Sequence, residues 1–439
     1  MTAIDLAAPF GHALKPYWAF DPKYINLNHG SYGSLPLPVL FSCTQNTILA
    51  ERNPDKFHRV TYMPMLQESR KRVAELVGAE HDEIVLVPNA THGLNTVLRN
   101  FEWKQGDVII GASTTYGAIS RTIQYLADRS EQPRPEAYSI QYTFPMSHAE
   151  ILDAFRARVR EIKQLHASTE FSDAPLESLG YEEGSKKNKF VAVIDSVTAN
   201  PGVLMPWKEM VRVCRKKAFW SVVDAAHSIG QETNINSAKR GLISGYPTVI
   251  SGFTRNGAVP LYMCPNVIKQ ALQFRDGYDT NFVLQHEWTG TMDFIPYLSI
   301  PAALDFRNWL GGEAAINEYC HELAMAGGER LASVMGTKVM DKTGELTLNM
   351  TNVLLPLPVE NTKGEVYSGE VLSAINSQLR EKLLYEWNTY AAHYFHAGGW
   401  WCRCSAQVWN EESDFEYLGK AFNAICKEIK DTLLAEKRN

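Results

Sequence analysis

An alternation of short apolar runs with amphipathic stretches constrains this chain more than any other feature. EIVLV leads through the small-residue turn PNAT into HGLNTVLRNF, whose apolar residues recur at helical spacing, and DVIIGASTTYGAISRTIQYLA repeats that order. FVAVID, a loop, WKEMVRVCRKKA and FWSVVD then read as strand, loop, helix and strand. Strands joined through helices make right-handed crossovers, so the pattern predicts an α/β domain with a mostly parallel central sheet covered on both faces. Upstream, Leu66, Val73, Leu76 and Val77 mark a helix over Tyr62 to Gly78, with Gly78 as its stop. The Gly- and Pro-broken stretch DPKYINLNHGSYGSLPLPVL reads as an extended arm ending in a loop. Residues 164–188 are polar and read as a solvated insertion. From Pro301 the texture changes to long helical patterns, the strands LTLNMTNVLLPLP and WWCRCSAQVWN, and a closing amphipathic helix. The expected organisation is an arm over 1–45, a large α/β domain over 46–300 and a smaller α+β domain over 301–439.

Composition narrows the functional classes. Hydrophobic residues make up 45% and charged residues 21%, an ordinary globular balance, and no apolar run reaches the eighteen or so residues of a membrane span. Lys and Arg number 43 against 49 Asp and Glu, and the net charge of −6 comes with no long basic stretch. That balance argues against nucleic acid or a membrane as partner and leaves small molecules. The seven cysteines, Cys43, Cys214, Cys264, Cys320, Cys402, Cys404 and Cys426, are scattered without the paired spacing of a zinc site. They read as reduced thiols with no metal, and with a start lacking the pattern of a cleaved targeting peptide they place the expected location in the cytoplasm.

In open α/β sheets ligands bind beyond the carboxyl ends of the strands, so the residues just after each strand carry the chemistry. Asn89, Ala90, Thr91, His92 and Gly93 open a helix whose free N–H groups can hold a phosphate, or else form an ordinary helix cap. Tyr116 follows the next strand, where an aromatic ring either covers a planar ligand or packs in the core. Asp224 closes FWSVVD and is followed by two alanines and His227; it either caps a helix or holds a pyridine nitrogen protonated. A protonated ring turns pyridoxal 5'-phosphate (PLP) into an electron sink, and the three features together point to a PLP-type site.

The stretches NLNHGSYG, NPDKFHR with YMPMLQESR, PNATHGLNTVL, DAAHSIGQ, WTGTMDFIPYLSIPAAL and CRCSAQVWNEESDFEYL span almost the whole chain. In this order they resemble the aminotransferase class V group of PLP enzymes, in the branch of isopenicillin N epimerase-like proteins, fungal hercynylcysteine sulfoxide lyases and loline-type alkaloid enzymes. The resemblance implies a fold-type I PLP-dependent transferase architecture working as a homodimer on an amino-acid-like substrate. It also implies a reaction of amino-acid or secondary metabolism that begins with a carbanion at Cα, such as C–S cleavage or epimerisation. Ala90 and Thr91 would bind the cofactor phosphate, Tyr116 would stack on the ring, Asp224 would pair with the pyridine nitrogen, and His227 would lie near the phenolic oxygen. Thr291 would reach the phosphate from the neighbouring subunit. Arg403 matches the arginine that grips the substrate carboxylate, Asn28, His29 and Gly30 match the arm loop over the site, and Arg52 lines its entrance.

The resembled family also carries a His-Lys-Trp segment whose lysine holds the cofactor covalently and moves the Cα proton. Here the corresponding region reads PTVISGFTRNGAVPLYMCP, and no lysine occurs between Arg240 and Asn266. Ser251 and Gly252 match the residues before that segment, and Arg255 to Met263 match those after it. Lys239 and Lys269 are the nearest lysines and read as surface residues. Three explanations stand open: a segment lost from the chain as written, a degenerate member that binds PLP non-covalently or not at all, or altered chemistry with His92 or His227 as base. Loss of a positioned base alone costs roughly 10²- to 10⁴-fold, so this chain is expected to be weak or inactive in the family reaction.

Overall fold

The structure, a computed structural model, describes residues 8–130, 133–171, 187–217, 219–233, 235, 246–247, 259–262, 282–360 and 366–436. Most of the polar insertion, Lys239, Lys269, Ser251, Gly252 and Arg255 lie outside the described residues. Twelve strands are described: β1 (Ile25–Asn26), β2 (Ile84–Val87), β3 (Val108–Ala112), β4 (Glu136–Ile140), β5 (Phe190–Asp195), β6 (Trp220–Asp224), β7 (Tyr246–Pro247), β8 (Val259–Tyr262), β9 (Met350–Leu354), β10 (Thr389–Tyr390), β11 (Ala392–His396) and β12 (Gly399–Ser405). Among the described residues no helix is long and apolar enough to cross a membrane.

The central sheet runs β4-β3-β5-β6, all parallel, and β7 packs beside β6 at the edge of an antiparallel group ordered β2-β8-β7. Every residue of β2, β5 and β6 is buried, as expected where helices cover both faces. The expected α/β class is what the chain forms. From β3 the chain moves outward to β4 and then returns to β5 on the other side of β3. That reversal opens a crevice beyond the carboxyl ends of β3 and β5.

Local signals place the helices around this crevice. The helix Tyr62–Val77 ends where Gly78 turns left-handed at φ 67°. Asn89 caps the helix Ala90–Asn100 by accepting the His92 N–H at 2.8 Å. The expected arm differs from the structure: β1 pairs with β10, and a helix Leu37–Arg52 crosses the predicted boundary at 45. Only Val39 and Cys43 of that helix are buried, so no apolar stripe of helical period announces it.

The expected boundary at 300 also shifts. Leu304 and Phe306 of the helix Ile300–Trp309 pack into the main core with the helix Tyr62–Val77. A second core starts at Leu323 in the helix Gly312–Met335 and includes Leu27 from the arm. It lies against the antiparallel sheet β11-β12-β9 and the helices Gly369–Tyr385 and Glu412–Asp431.

Gly327 sets how closely two of those helices approach. A Cβ there would lie 2.6 Å from the Phe415 ring, which is fully buried. Alanine normally gains about 0.5–1 kcal/mol over glycine inside a helix, whereas overpacking a filled core costs about 1–3 kcal/mol. Gly327→Ala is therefore expected to lower the urea midpoint. Gly369→Ala, at a helix start with no atom within 4 Å of the new Cβ, is expected to leave it unchanged or raise it. Equal midpoints for the two variants would show that the close approach does not matter.

Candidate active site

Beyond the sheet, three strand ends bring polar groups together. Asp195 and Asp224 close β5 and β6 as register partners, with neighbouring strands about 4.8 Å apart. Both are buried. Asp224 Oδ1 accepts the Ala226 N–H at 3.1 Å, and Asp195 Oδ2 accepts the Thr115 hydroxyl at 3.4 Å. Thr115 Oγ1 accepts the Ala112 N–H at 2.9 Å, tying the turn after β3 to the end of β5. Ser196 Oγ donates to the Asp224 carbonyl and lies 2.6 Å from Ser228 Oγ. Burial in this dry region pushes the Asp224 carboxyl up to about 6.

His227 follows Asp224 in a turn. Its Nδ1 is sealed from solvent and has no hydrogen-bond partner among the described residues. Burial, joined by the positive charge of Arg403, drives the imidazole down to about 3, so the ring is neutral at physiological pH.

Arg403 lies on β12 and is 3% exposed. It donates to the Ala199 carbonyl at 2.6 Å, to Ser31 Oγ at 2.8 Å and to Asn28 Oδ1 at 3.3 Å. No carboxylate pairs with it among the described residues, and its buried Nε has no partner there. Gly202 makes room for it, since a Cβ at that position would sit 2.6 Å from Arg403 Cδ. Gly30 is needed for the same reason: a Cβ there would lie 2.8 Å from Ser405 Oγ and 2.9 Å from Met350 Sδ. Its N–H donates to Ser405 Oγ at 3.1 Å. The short helix His29–Tyr32 is thereby pressed onto β12, with the His29 ring edge-on to Trp409 at 4.9 Å.

The expected residues divide into two groups. Asn28, Gly30, His227 and Arg403 meet in one cluster, with His29 packed at its back, and Asp224 adjoins it. Tyr116 stands next to Thr115 with its ring 53% exposed, free to lie over a ligand in the crevice. Ala90 and Thr91 form the first turn of a helix that packs against β6, with their N–H groups directed out of the helix end. Three residues stand apart. His92 is exposed in an open recess with Thr91, Asn95, Thr96 and Arg99, Arg52 is exposed at the end of its helix, and Thr291 is exposed in the loop between the helices Phe282–Glu287 and Ile295–Leu298. Ser31, Thr115, Tyr142 and Asp195 were not singled out in the sequence. Asp195 was within reach of the same reading, since it ends an apolar strand as Asp224 does.

The groups present fit PLP: a helix end for the phosphate, a buried carboxylate without a cation for the ring nitrogen, a neutral imidazole, an exposed aromatic face and an unpaired guanidinium. Among the described residues no lysine is placed with these groups.

The aminotransferase class-V family profile matches residues 50–134. The chain is 30% identical to an L-cysteine desulfhydrase-like protein of Epichloe uncinata, over 98% of each chain. It is 29% identical to hercynylcysteine sulfoxide lyase of Schizosaccharomyces pombe, over 95% of this chain and 98% of that protein. Among solved structures, the apo cysteine desulfurase of Thermococcus onnurineus NA1 superposes with a TM-score of 0.69 at 15% identity, over 96% of this chain and 100% of that one.

His227 and Asp224 have opposite consequences for stability. His227 binds a proton in the unfolded chain below its ordinary 6.5 but in the folded protein only below about 3, so acidification across that window favours unfolding. Asp224 is raised from 3.8 to about 6, so acidification through that window favours the folded state. In urea titrations between pH 7 and pH 4, His227→Gln is expected to lose less stability than the parent, and Asp224→Asn to lose more. Parallel pH profiles for all three proteins would refute this assignment of protons.

Proposed function

The chain belongs to the aminotransferase class V family, and on that premise we propose that it binds PLP and acts on an amino-acid-like substrate, with C–S bond cleavage as the favoured reaction. The observation that carries this reading is Arg403, a buried guanidinium with no carboxylate partner among the described residues. A buried cation is costly unless a ligand supplies the opposite charge. A substrate carboxylate held by its planar fork meets that need beside the ring site. The C–S preference rests on relatives named for cysteine and cysteine-sulfoxide chemistry.

Bound PLP supplies an electron sink that weakens a bond at the substrate Cα. The chain's own groups divide the remaining work. Ala90 and Thr91 offer backbone N–H groups to the phosphate, favoured by the helix dipole. Asp224 holds the ring nitrogen protonated, Tyr116 covers one face of the ring, and His227 presents a neutral imidazole at its edge. Asn28 and Ser31 aim Arg403 through their hydrogen bonds. A cytoplasmic location accords with the free, buried thiols. Homodimerisation accords with exposed apolar groups beside the arm, Tyr32 at 81% and Phe41 at 65% exposure, with Leu40 and Ile48 nearby. In a dimer Thr291 would reach its partner's phosphate site.

The absence of lysine between Arg240 and Asn266 favours a second reading, a non-catalytic PLP-fold protein that retains the site. The two are separated by the absorbance spectrum with added PLP, followed by borohydride reduction and intact mass. The enzyme reading expects PLP fixed covalently to a lysine, whereas PLP that dialyses away supports the non-catalytic protein. For PLP-loaded protein of either kind, Arg403→Lys is expected to weaken amino-acid binding by roughly tenfold or more, the loss of a charge-assisted planar contact. Unchanged affinity would remove Arg403 from the substrate site. Phe41→Glu is expected to convert a dimer to monomers in analytical ultracentrifugation, and a parent that is itself monomeric would overturn the dimer proposal.

A further inference from the structure

Asp195 has no part in the reading above, yet it stands closest in register to the residue assigned to the ring nitrogen. The two carboxyls close adjacent parallel strands as direct partners, at the crevice where strand order reverses. Neither forms an ion pair among the described residues. Asp224 is served by the Ala226 N–H, and Asp195 by the Thr115 hydroxyl. The surroundings of the pair offer little charge. The Tyr142 phenol is buried near Asp195, with its Oη lacking a hydrogen-bond partner among the described residues, and the proximity of Asp195 adds to the burial that keeps that phenol un-ionised. His227 is neutral, and the guanidinium of Arg403 acts on His227.

Two ionised carboxylates in this setting would repel one another in a dry crevice with no cation to offset them. We propose that Asp195 is a positioning residue of the ring-nitrogen site: it carries a proton beside an ionised Asp224, so the pair offers a pyridinium one negative charge, and its bond to Thr115 fixes the turn that bears Tyr116. This inference rests on the PLP reading for its cofactor role. Burial and the neighbouring Asp224 charge both hold the Asp195 carboxyl well above the ordinary carboxylate range, in keeping with a proton on it. A pair of net charge −1 matches a pyridinium of +1, and Asp195 also links ring-nitrogen recognition to ring stacking through a single side chain.

Infrared spectroscopy of the PLP-free full-length protein tests the proton directly. At pH 7.5 a carboxylic-acid C=O band is expected that disappears in Asp195→Asn. Thr115→Val, which removes the hydroxyl from Asp195, is expected to shift that band without abolishing it. In PLP titrations followed by fluorescence, Asp195→Ala is expected to weaken binding about tenfold, and Asp195→Asn, a neutral amide of the same shape, to restore most of it. An Asn variant that binds as poorly as Ala would overturn the proposal, because it would mean that Asp195 contributes charge. So would a wild-type spectrum without the acid band. Should Asp195→Asn fail to fold, a wild-type band that Thr115→Val leaves unmoved overturns the assignment. A band that behaves as expected in a protein that never binds PLP upholds the proton and overturns the cofactor role together with the functional reading.

Discussion

Arg403 is the group on which the rest of the site depends. Its guanidinium reaches the arm through Asn28 and Ser31 and the loop after β5 through the Ala199 carbonyl, while its own backbone is part of β12. One buried cation therefore joins three segments that are far apart in sequence. Its register partner on β9, Asn352, repeats the tie: Asn352 exchanges two hydrogen bonds with the backbone of Gly202 and accepts the Tyr394 hydroxyl. Removing either side chain would leave buried partners unsatisfied, a penalty of about 1–3 kcal/mol per group. The glycines follow from the same constraint, since Gly30 and Gly202 stand where any Cβ would displace these contacts.

The buried charge also sets the protonation of its surroundings. Burial keeps the His227 imidazole neutral, and the field of a guanidinium without a carboxylate partner acts in the same direction. On the other side, Asp195 and Asp224 form a region of negative character that no side-chain cation offsets among the described residues. The cluster is thus polarised along one line, cationic near β12 and acidic beneath the crevice. A ligand that carries a carboxylate at one end and a protonated ring nitrogen at the other satisfies both ends at once. That complementarity supports the proposal of an amino acid held against PLP over that of a simple anion.

The parallel sheet was legible because buried parallel strands are continuous apolar runs, and DVIIGA, FVAVID and FWSVVD each mark one, whereas EIVLV, an equally apolar run, forms β2 of the antiparallel group. The residues at their ends, Asn89, Tyr116 and Asp224, were legible because a strand end in such a sheet is where a ligand sits. The helix Leu37–Arg52 was not, because its apolar residues Leu40, Phe41, Ile48 and Leu49 face outward and show no single buried stripe. Ser31 and Asn352 were not, since their roles arise from contacts across more than a hundred residues and no local pattern encodes them. Asp195 escaped notice for a different reason. It ends an apolar strand just as Asp224 does, and its pairing with Asp224, which the sequence does not show, is what the structure adds.

The groups proposed to hold a PLP ring and the stretch where a lysine would stand occupy separate parts of the sequence. The helix Ala90–Asn100, the carboxyl pair, the aromatic turn and Arg403 lie on β2, β3, β5, β6 and β12 and on the segments that follow them, packed among three apolar cores. The stretch between Arg240 and Asn266, where a lysine would stand, supplies none of them. That stretch is nonetheless built into the cradle, since β8 pairs with β2, β7 packs beside β6, and both strands pack against the helix Ala90–Asn100. Lacking a lysine there and lacking the segment are therefore different conditions: the first spares these contacts, and the second removes them.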